Sequence, residues 1–207
     1  MDRASDSVVQ TRTRAPKIAS GVVTSLRAML FDEGLWPRVR DELARRDPFA
    51  VEEIDEKLRH AWTDVSVYVD ILDALDRVVG LDRSRELGRT RISHERRQGF
   101  FAHVIRSWLR SFGDDPQLLL RLTIPLWNAT FRGAGTLSML ESRPGFVRLR
   151  IRDCAPELMA SPAWKRSVEG MFQGGLEWIG VRAEPEVAPA QGEAHAIDYT
   201  IRWAIPD

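Results

Sequence analysis

The sequence predicts an α+β fold: N-terminal helices packed with a C-terminal antiparallel sheet of about four strands, with a helix inserted between its two hairpins. Three observations carry this. Up to about residue 131 the apolar residues recur at helical spacing. After Gly133 the period changes to two. The cleanest alternation, Val147, Leu149 and Ile151 against Arg148, Arg150 and Arg152, follows a Pro144-Gly145 turn and so reads as one arm of a hairpin.

Residues 1–18 mix Ser, Thr, Arg and Asp without the apolar stretch of a secretory signal, and read as a flexible tail before a single domain over 19–207. Residues 22–31 and 35–46 have helical spacing, the second with Pro37 in its first turn, and 50–59 form a charged helix. Over 66–79, Tyr68, Ile71, Leu72, Leu75, Val78 and Val79 make one stripe, which Gly80 ends. Residues 83–110 continue in helical register, with Phe101, Val104, Ile105, Trp108 and Phe112 on one side and Gly88 and Gly99 as joints. Asp115-Pro116 is an N-cap followed by proline at the first helical position. The helix it opens, to residue 131, is apolar almost all round with Arg121 its only charge, which predicts a buried central helix kinked at Pro125. On that reading Leu122→Ala costs roughly 2 to 5 kcal/mol, whereas truncating Arg150 on the polar sheet face is nearly silent. Strands follow at 136–140 and 146–153, Ser161-Pro162 opens a helix ending near Gly180, and strands at 181–187 and 195–203 close the chain. In the last of these His195, Ile197, Tyr199, Ile201 and Trp203 share a face.

A chain of 207 residues with 43% hydrophobic and 29% charged residues can bury a core without disulfides or metal. Thirty basic residues balance thirty acidic ones, which removes the overall electrostatic argument for nucleic acid or an anionic membrane. No apolar run approaches the roughly 20 residues of a membrane helix, so no membrane insertion and a cytoplasmic location are the expectations. The histidines, the single cysteine and the acids show no metal-ligand spacing such as His-x3-His or Glu-x2-His. Phosphate loops, dinucleotide fingerprints and Gly-x-Ser-x-Gly are also missing. Cys154 at the end of a strand reads as a buried structural thiol rather than a nucleophile. The arginine row 148, 150, 152 reads as the solvated sheet face, with Glu184, Glu186, Asp198 and Arg202 as cross-strand neighbours.

The order of several short segments then looks familiar: GVVTSLRAML, VYVDILDALDRVVG followed by ELGR at 86–89, Leu126-Trp127 with Phe131 and Gly133, and GFVRLRI. In this order they resemble a myxobacterial-type paralogous family of small proteins of unknown function. The C-terminal half is similar to the vinyl-reductase type of small-molecule-binding domain, whose wider relatives include the heme nitric-oxide/oxygen-binding domains. The vinyl-reductase pattern ends in a Cys-x3-Gly-x3-Cys hairpin; the similar stretch here is Ala188, Gly192 and Ala196, with the glycine kept and both cysteines replaced. The heme-binding relatives use an axial histidine on a helix and a Tyr-x-Ser-x-Arg clamp for the propionates. The matching strand here offers Ile151, Asp153 and Ala155, and no histidine lies between His103 and His195. His103 falls opposite the Phe101/Trp108 stripe, while His94 can share it. No cofactor is therefore expected, and no Soret band after reconstitution with hemin.

The resemblance, with seven tryptophans in the chain, implies a non-catalytic domain that binds a small apolar molecule or senses one. The ligand is expected between the 118–131 helix and the inner faces of the hairpins, touching Trp127, Phe131, Leu149, Ile151, Trp178 and Tyr199. The alternative is a homodimeric protein-interaction module with a fully packed core, and an enzyme ranks third.

Overall fold

The computed structural model describes residues 15–98 and 114–205; the side chains of 95–98 are not described. Most of the expected tail, and from the expected 83–110 helix the residues Gly99, Phe101, His103, Val104, Ile105, Trp108 and Phe112, lie outside the described residues.

The elements run β1 (Lys17–Ala19), α1 (Ser20–Asp32), α2 (Trp36–Arg46), α3 (Ala50–Lys57), β2 (Trp62–Asp64), α4 (Val65–Val79) and α5 (Leu81–Gln98). After the undescribed segment come α6 (Pro116–Thr130), β3 (Phe131–Arg132), β4 (Thr136–Arg143), β5 (Phe146–Arg152), α7 (Pro156–Ala160), α8 (Pro162–Trp178), β6 (Ala183–Pro189) and β7 (Ile197–Trp203). The α+β plan and the four-stranded antiparallel sheet are as the periodicity predicts: the strand order is β4-β5-β7-β6, with α8 inserted between the two hairpins. A second sheet, β2-β1-β3, ties the start of the chain to the ends of α3 and α6. Strands of two or three residues show no periodicity, so nothing in the sequence announced this sheet.

Two caps act as their sequence implies. The Asp115 carboxylate accepts from the Gln117 and Leu118 amides at 2.8 and 3.4 Å, and the Ser161 hydroxyl accepts from the Trp164 amide at 3.0 Å. The Ser161 hydroxyl also lies 2.6 Å from Asp73 Oδ1 on α4, to which it donates, so a local stop signal doubles as a tertiary tie.

The position of α6 corrects the expectation of a buried central helix. Only Leu120, Trp127 and Thr130 are buried; Arg121, Pro125, Asn128 and Ala129 face solvent, and Leu122 is half-buried. The helix also runs through Pro125 to Thr130. Pro125 has no amide to donate to the Arg121 carbonyl, but on the solvent side that carbonyl reaches water, so the lost bond does not break the helix. The central helix is α4, with Ile71, Leu72, Ala74 and Leu75 enclosed. Leu122→Ala is accordingly expected to cost about 1 kcal/mol, below the range for a fully buried leucine, as denaturant midpoints would show.

Gly88 is not a joint. It sits mid-helix in α5, where a Cβ would overlap the Ser167 carbonyl of α8; Gly170 and Gly174 of α8 reciprocally face the Arg85 and Arg89 carbonyls of α5. The three glycines let the two backbones touch, which explains why ELGR and GMFQGG tolerate glycine's poor helix propensity.

On the outer face of the sheet the arginine row meets acids, but of the expected cross-strand neighbours only Asp198 pairs with it among the described residues: Glu184 and Glu186 lie on β6, which borders β7, and of the three arginines only Arg150 is enclosed. Arg150 lies opposite Asp198 in register and forks onto its carboxylate at 2.6 and 2.7 Å, while its third nitrogen reaches Glu193 at 2.5 Å. Only 12% of its side chain is exposed, and these partners push its pKa further up. Among the described residues Arg148 has one ion-pair partner, Glu141, at 3.9 Å. Arg150→Ala should therefore lower the denaturant midpoint more than Arg148→Ala does, a reversal of the silent substitution expected from the alternation alone.

Candidate functional site

The inner face of the four-stranded sheet is built by the alternation of β5 and β7: Val147, Leu149, Ile151, Ile197, Tyr199 and Ile201 are all buried. Strand β7 begins at Ile197, so His195 precedes it and is exposed rather than continuing the inner row. Helix α8 covers this face with Trp164, Val168 and Phe172, which recur every four residues. From the edge, the last turn of α6 brings in Trp127, and β3 brings in Phe131.

The rings form a continuous chain. Phe131 stacks on Trp127 with centroids 4.2 Å apart, Trp127 meets Trp164 edge-on at 6.4 Å, and Trp164 meets Tyr199 at 6.5 Å; Phe172 closes on Tyr199 at 5.4 Å. The Trp127 indole N–H donates to the Gly135 carbonyl at 3.0 Å, which fixes the ring against the β3–β4 connection. Of the six residues singled out by sequence, the structure brings Trp127, Phe131 and Tyr199 into this chain and sets Leu149 and Ile151 in the sheet beside it. Trp178 lies at the other end of α8, about 21 Å along the helix axis from Trp164 at 1.5 Å per residue, and is half-buried. Trp164 and Phe172 stand where sequence reading had no reason to prefer them over the other aromatics. The signal available was their shared helical face after a recognisable cap.

The Tyr199 hydroxyl is set within this chain of rings. Tyr199 is 0% exposed and its hydroxyl has no hydrogen-bond partner among the described residues. Burial holds its pKa well above the phenolic range, and Cys154, Glu169 and Tyr68 act on it electrostatically in the same direction. These come from three other elements. Tyr68 of α4 takes a 2.7 Å hydrogen bond from buried Arg91, which also donates to the Val22 carbonyl at 2.9 Å. Glu169 of α8, 1% exposed, accepts from the Val187 amide and from Arg166, both at 2.8 Å, and so clamps β6 to α8. Cys154 follows β5, and its thiol is pushed up to about 12 by burial, with Lys165 pulling weakly the other way. At pH 8 about one native thiol in ten thousand is then ionised. Native protein is expected to react with a disulfide reagent only as fast as it unfolds, and rapidly once denatured, as a stopped-flow thiol titration would show; brisk reaction of folded protein would contradict the burial.

The clamp positions implied by the heme-binding relatives carry no matching chemistry. Ile151 is enclosed in the sheet, Asp153 turns the chain with φ 49°, and Ala155 is a buried N-cap of α7, so these positions offer neither phenol, hydroxyl nor guanidinium. His60 and His195 are exposed, His94 is buried on α5 with Nδ1 3.5 Å from Asp32, and His103 is outside the described residues. The described residues do not fit a heme held by that clamp.

On the other side of α6 an open groove of about 480 Å³ runs between that helix and β4, lined by Arg121, Ile124 and residues 137–142. None of the six sequence-selected residues lines it. Its residues Leu137 and Met139 are the cross-strand partners of Ile151 and Leu149, and so mark the rim of the same hairpin.

Among the described residues no helix is long and apolar enough to cross a membrane. No family model matches the chain, and no curated protein matches it either. Solved structures do. The H-NOX protein from K. algicida, in its Fe(II) unliganded form, superposes with TM-score 0.61 at 11% identity, covering 91% of this chain and 98% of that one. The H-NOX protein from S. oneidensis in the Fe(II)NO ligation state gives 0.56 at 12%, covering 91% and 100%, and a mutant of the T. tengcongensis H-NOX protein gives 0.55 at 13%, covering 91% and 98%. With the same α+β layout matched over nearly the whole of each chain, the protein has an H-NOX-like fold.

Proposed function

We propose that residues 19–207 form one non-catalytic sensory domain that holds a small, largely apolar molecule between α6, α8 and the inner face of the sheet. The observation that carries this is the Tyr199 hydroxyl, fully buried among aromatic rings with nothing to bond to among the described residues. An unsatisfied buried hydroxyl costs about 1 to 3 kcal/mol, and a ligand with one polar atom removes that cost. Tyr199 is the orienting contact in this reading. Trp127, Phe131, Leu149 and Ile151 supply the apolar wall, and Trp178 lies at the far end of α8. The H-NOX-like fold supports a small-molecule role, because the solved structures that share it include Fe(II) and Fe(II)NO ligation states; the Ile151, Asp153 and Ala155 positions argue for a ligand other than heme.

Native mass spectrometry of gently purified protein, with thermal melts in phenol, benzyl alcohol and short alkanols, tests the reading. A bound or stabilising molecule that is lost in Tyr199→Phe with the fold intact is the expected result. Bare protein, no stabilisation by any probe, and a Tyr199→Phe variant simply more stable than the parent would overturn it. A second reading, a homodimeric module with a packed core, is favoured by the unbroken contact of five rings at 4.2 to 6.5 Å. Light scattering across a concentration series separates the two.

A further inference from the structure

The two edges of the four-stranded sheet are protected unequally. Strand β6 carries Pro185 and Pro189, which cannot donate, and the exposed acids Glu184 and Glu186. Strand β4, at the opposite edge, has no proline over its eight residues. Its outward N–H and C=O groups have no neighbouring strand among the described residues, since it pairs only with β5. The one irregularity is a bulge at Leu140, which has no register partner on β5 and lines the groove instead.

Helix α6 stands beside this edge and makes the other wall of the groove, through Arg121 and Ile124. At one end the Ser142 hydroxyl donates to Gln117 Oε1 at 3.2 Å, joining helix to strand. Residues 137–142 span about 17 Å of extended chain, enough for a five- or six-residue strand. An edge strand with a helix alongside is the geometry in which extended peptides add to a sheet.

The charges select the occupant. Glu141 is already answered by Arg143 at 3.1 Å and Arg148 at 3.9 Å. Arg121, exposed and the only charge of α6, makes no ion pair among the described residues, so the groove presents one uncompensated positive charge. We propose that the groove between β4 and α6 receives an extended acidic peptide segment of a partner protein, which adds to the sheet as a fifth strand on β4 and sets a carboxylate on Arg121. Alternate side chains of that segment lie against Leu137, Met139 and Ile124 and are apolar. This docking is separate from the interior ligand and stands without it.

Fluorescence anisotropy with the labelled heptapeptide TVEVTVD and its basic counterpart TVKVTVK tests the proposal on the full chain. The acidic peptide is expected to bind at least about tenfold more tightly, and Arg121→Gln to remove most of that preference together with its salt dependence. Leu140→Pro blocks the edge at a residue that β5 does not pair with, and is expected to abolish binding of TVEVTVD. Amide hydrogen exchange provides a readout that needs no variant: TVEVTVD should protect outward amides of β4 and leave β6 unchanged. Equal binding of the two peptides, binding indifferent to Arg121→Gln, or no added protection along β4 would overturn the proposal. So would a dimer in light scattering whose β4 amides are protected without peptide, which would put a second copy in the groove. Binding of decanoate with neither peptide bound would give the groove to an amphiphile and overturn it equally.

Discussion

Gly170→Ala is expected to destabilise the protein by about 3 kcal/mol or more, at the upper end of what overpacking does. The new methyl would lie inside the Arg85 carbonyl oxygen and 2.8 Å from the Arg89 amide nitrogen, both of them backbone atoms of α5. Backbone cannot rotate away as a side-chain tip can, so α5 and α8 must separate along their whole contact. That loosens Gly88 against Ser167 and Gly174 against Arg89, and strains the pair between Arg89 and Glu177 at 3.1 Å. For a chain of this length the loss corresponds to a melting temperature lowered by about 6 to 12 °C. Gly175→Ala is the control: it is on the same helix, one residue beyond Gly174, and its nearest neighbour is the Leu119 side chain at 4.0 Å. There alanine's better helix propensity should leave stability unchanged or raise it by up to about 1 kcal/mol. Equal losses at the two positions would mean that the helices do not touch as described.

Trp164→Ala should cost about 3 to 5 kcal/mol, the range for removing a buried indole. Trp164 is 1% exposed and touches both Trp127 and Tyr199, so it links α6 through α8 to β7. Its loss opens a cavity bounded by rings from three elements, and none can fill it without leaving another contact. Chemical denaturation of the variant checks the magnitude. Trp164→Phe, which keeps a ring in place, should lose less than half as much. The same variant bears on the ligand reading, because an apolar cavity beside the Tyr199 hydroxyl gives phenol room to bind and restore part of the lost stability. If the Trp164→Ala melt is unmoved by phenol while the protein stays folded, the interior beside Tyr199 is not the accepting site.

Three of the five rings, Trp127, Phe131 and Tyr199, were singled out from sequence, and Trp164 and Phe172 were not. Alternation along β5 and β7 places Leu149, Ile151 and Tyr199 on one face whatever the rest of the chain does. The Ser161-Pro162 start fixes where α8 begins, and hence which of its residues face the sheet. The distance of Trp178 from the ring chain follows from the length of α8, which places it about four turns from Trp164. The groove residues Arg121, Ile124 and Leu140 were not legible as a site: how α6 packs beside β4 is set by tertiary contacts, and a bulge that turns Leu140 out of register has no compositional mark.

Sequence by itself determined the types of the longer elements, the two capped helix starts and the hairpin alternation, because each depends on neighbours within a few residues or directly across one turn. Only the tertiary structure decided which helix is central. An apolar helix such as α6 can be enclosed or can stand at a sheet edge with four of its five leucines partly open, and its pattern is the same in both cases. Likewise a glycine in ELGR is a joint or a close backbone contact depending on what lies opposite, and that is set by α8, some eighty residues away. Arg150 alternates like Arg148 and Arg152, yet Asp198 and Glu193 enclose it because β7 and the turn before it arrive on its side of the sheet. In each case the deciding contact is long-range, and burial is a property of the partner as much as of the residue.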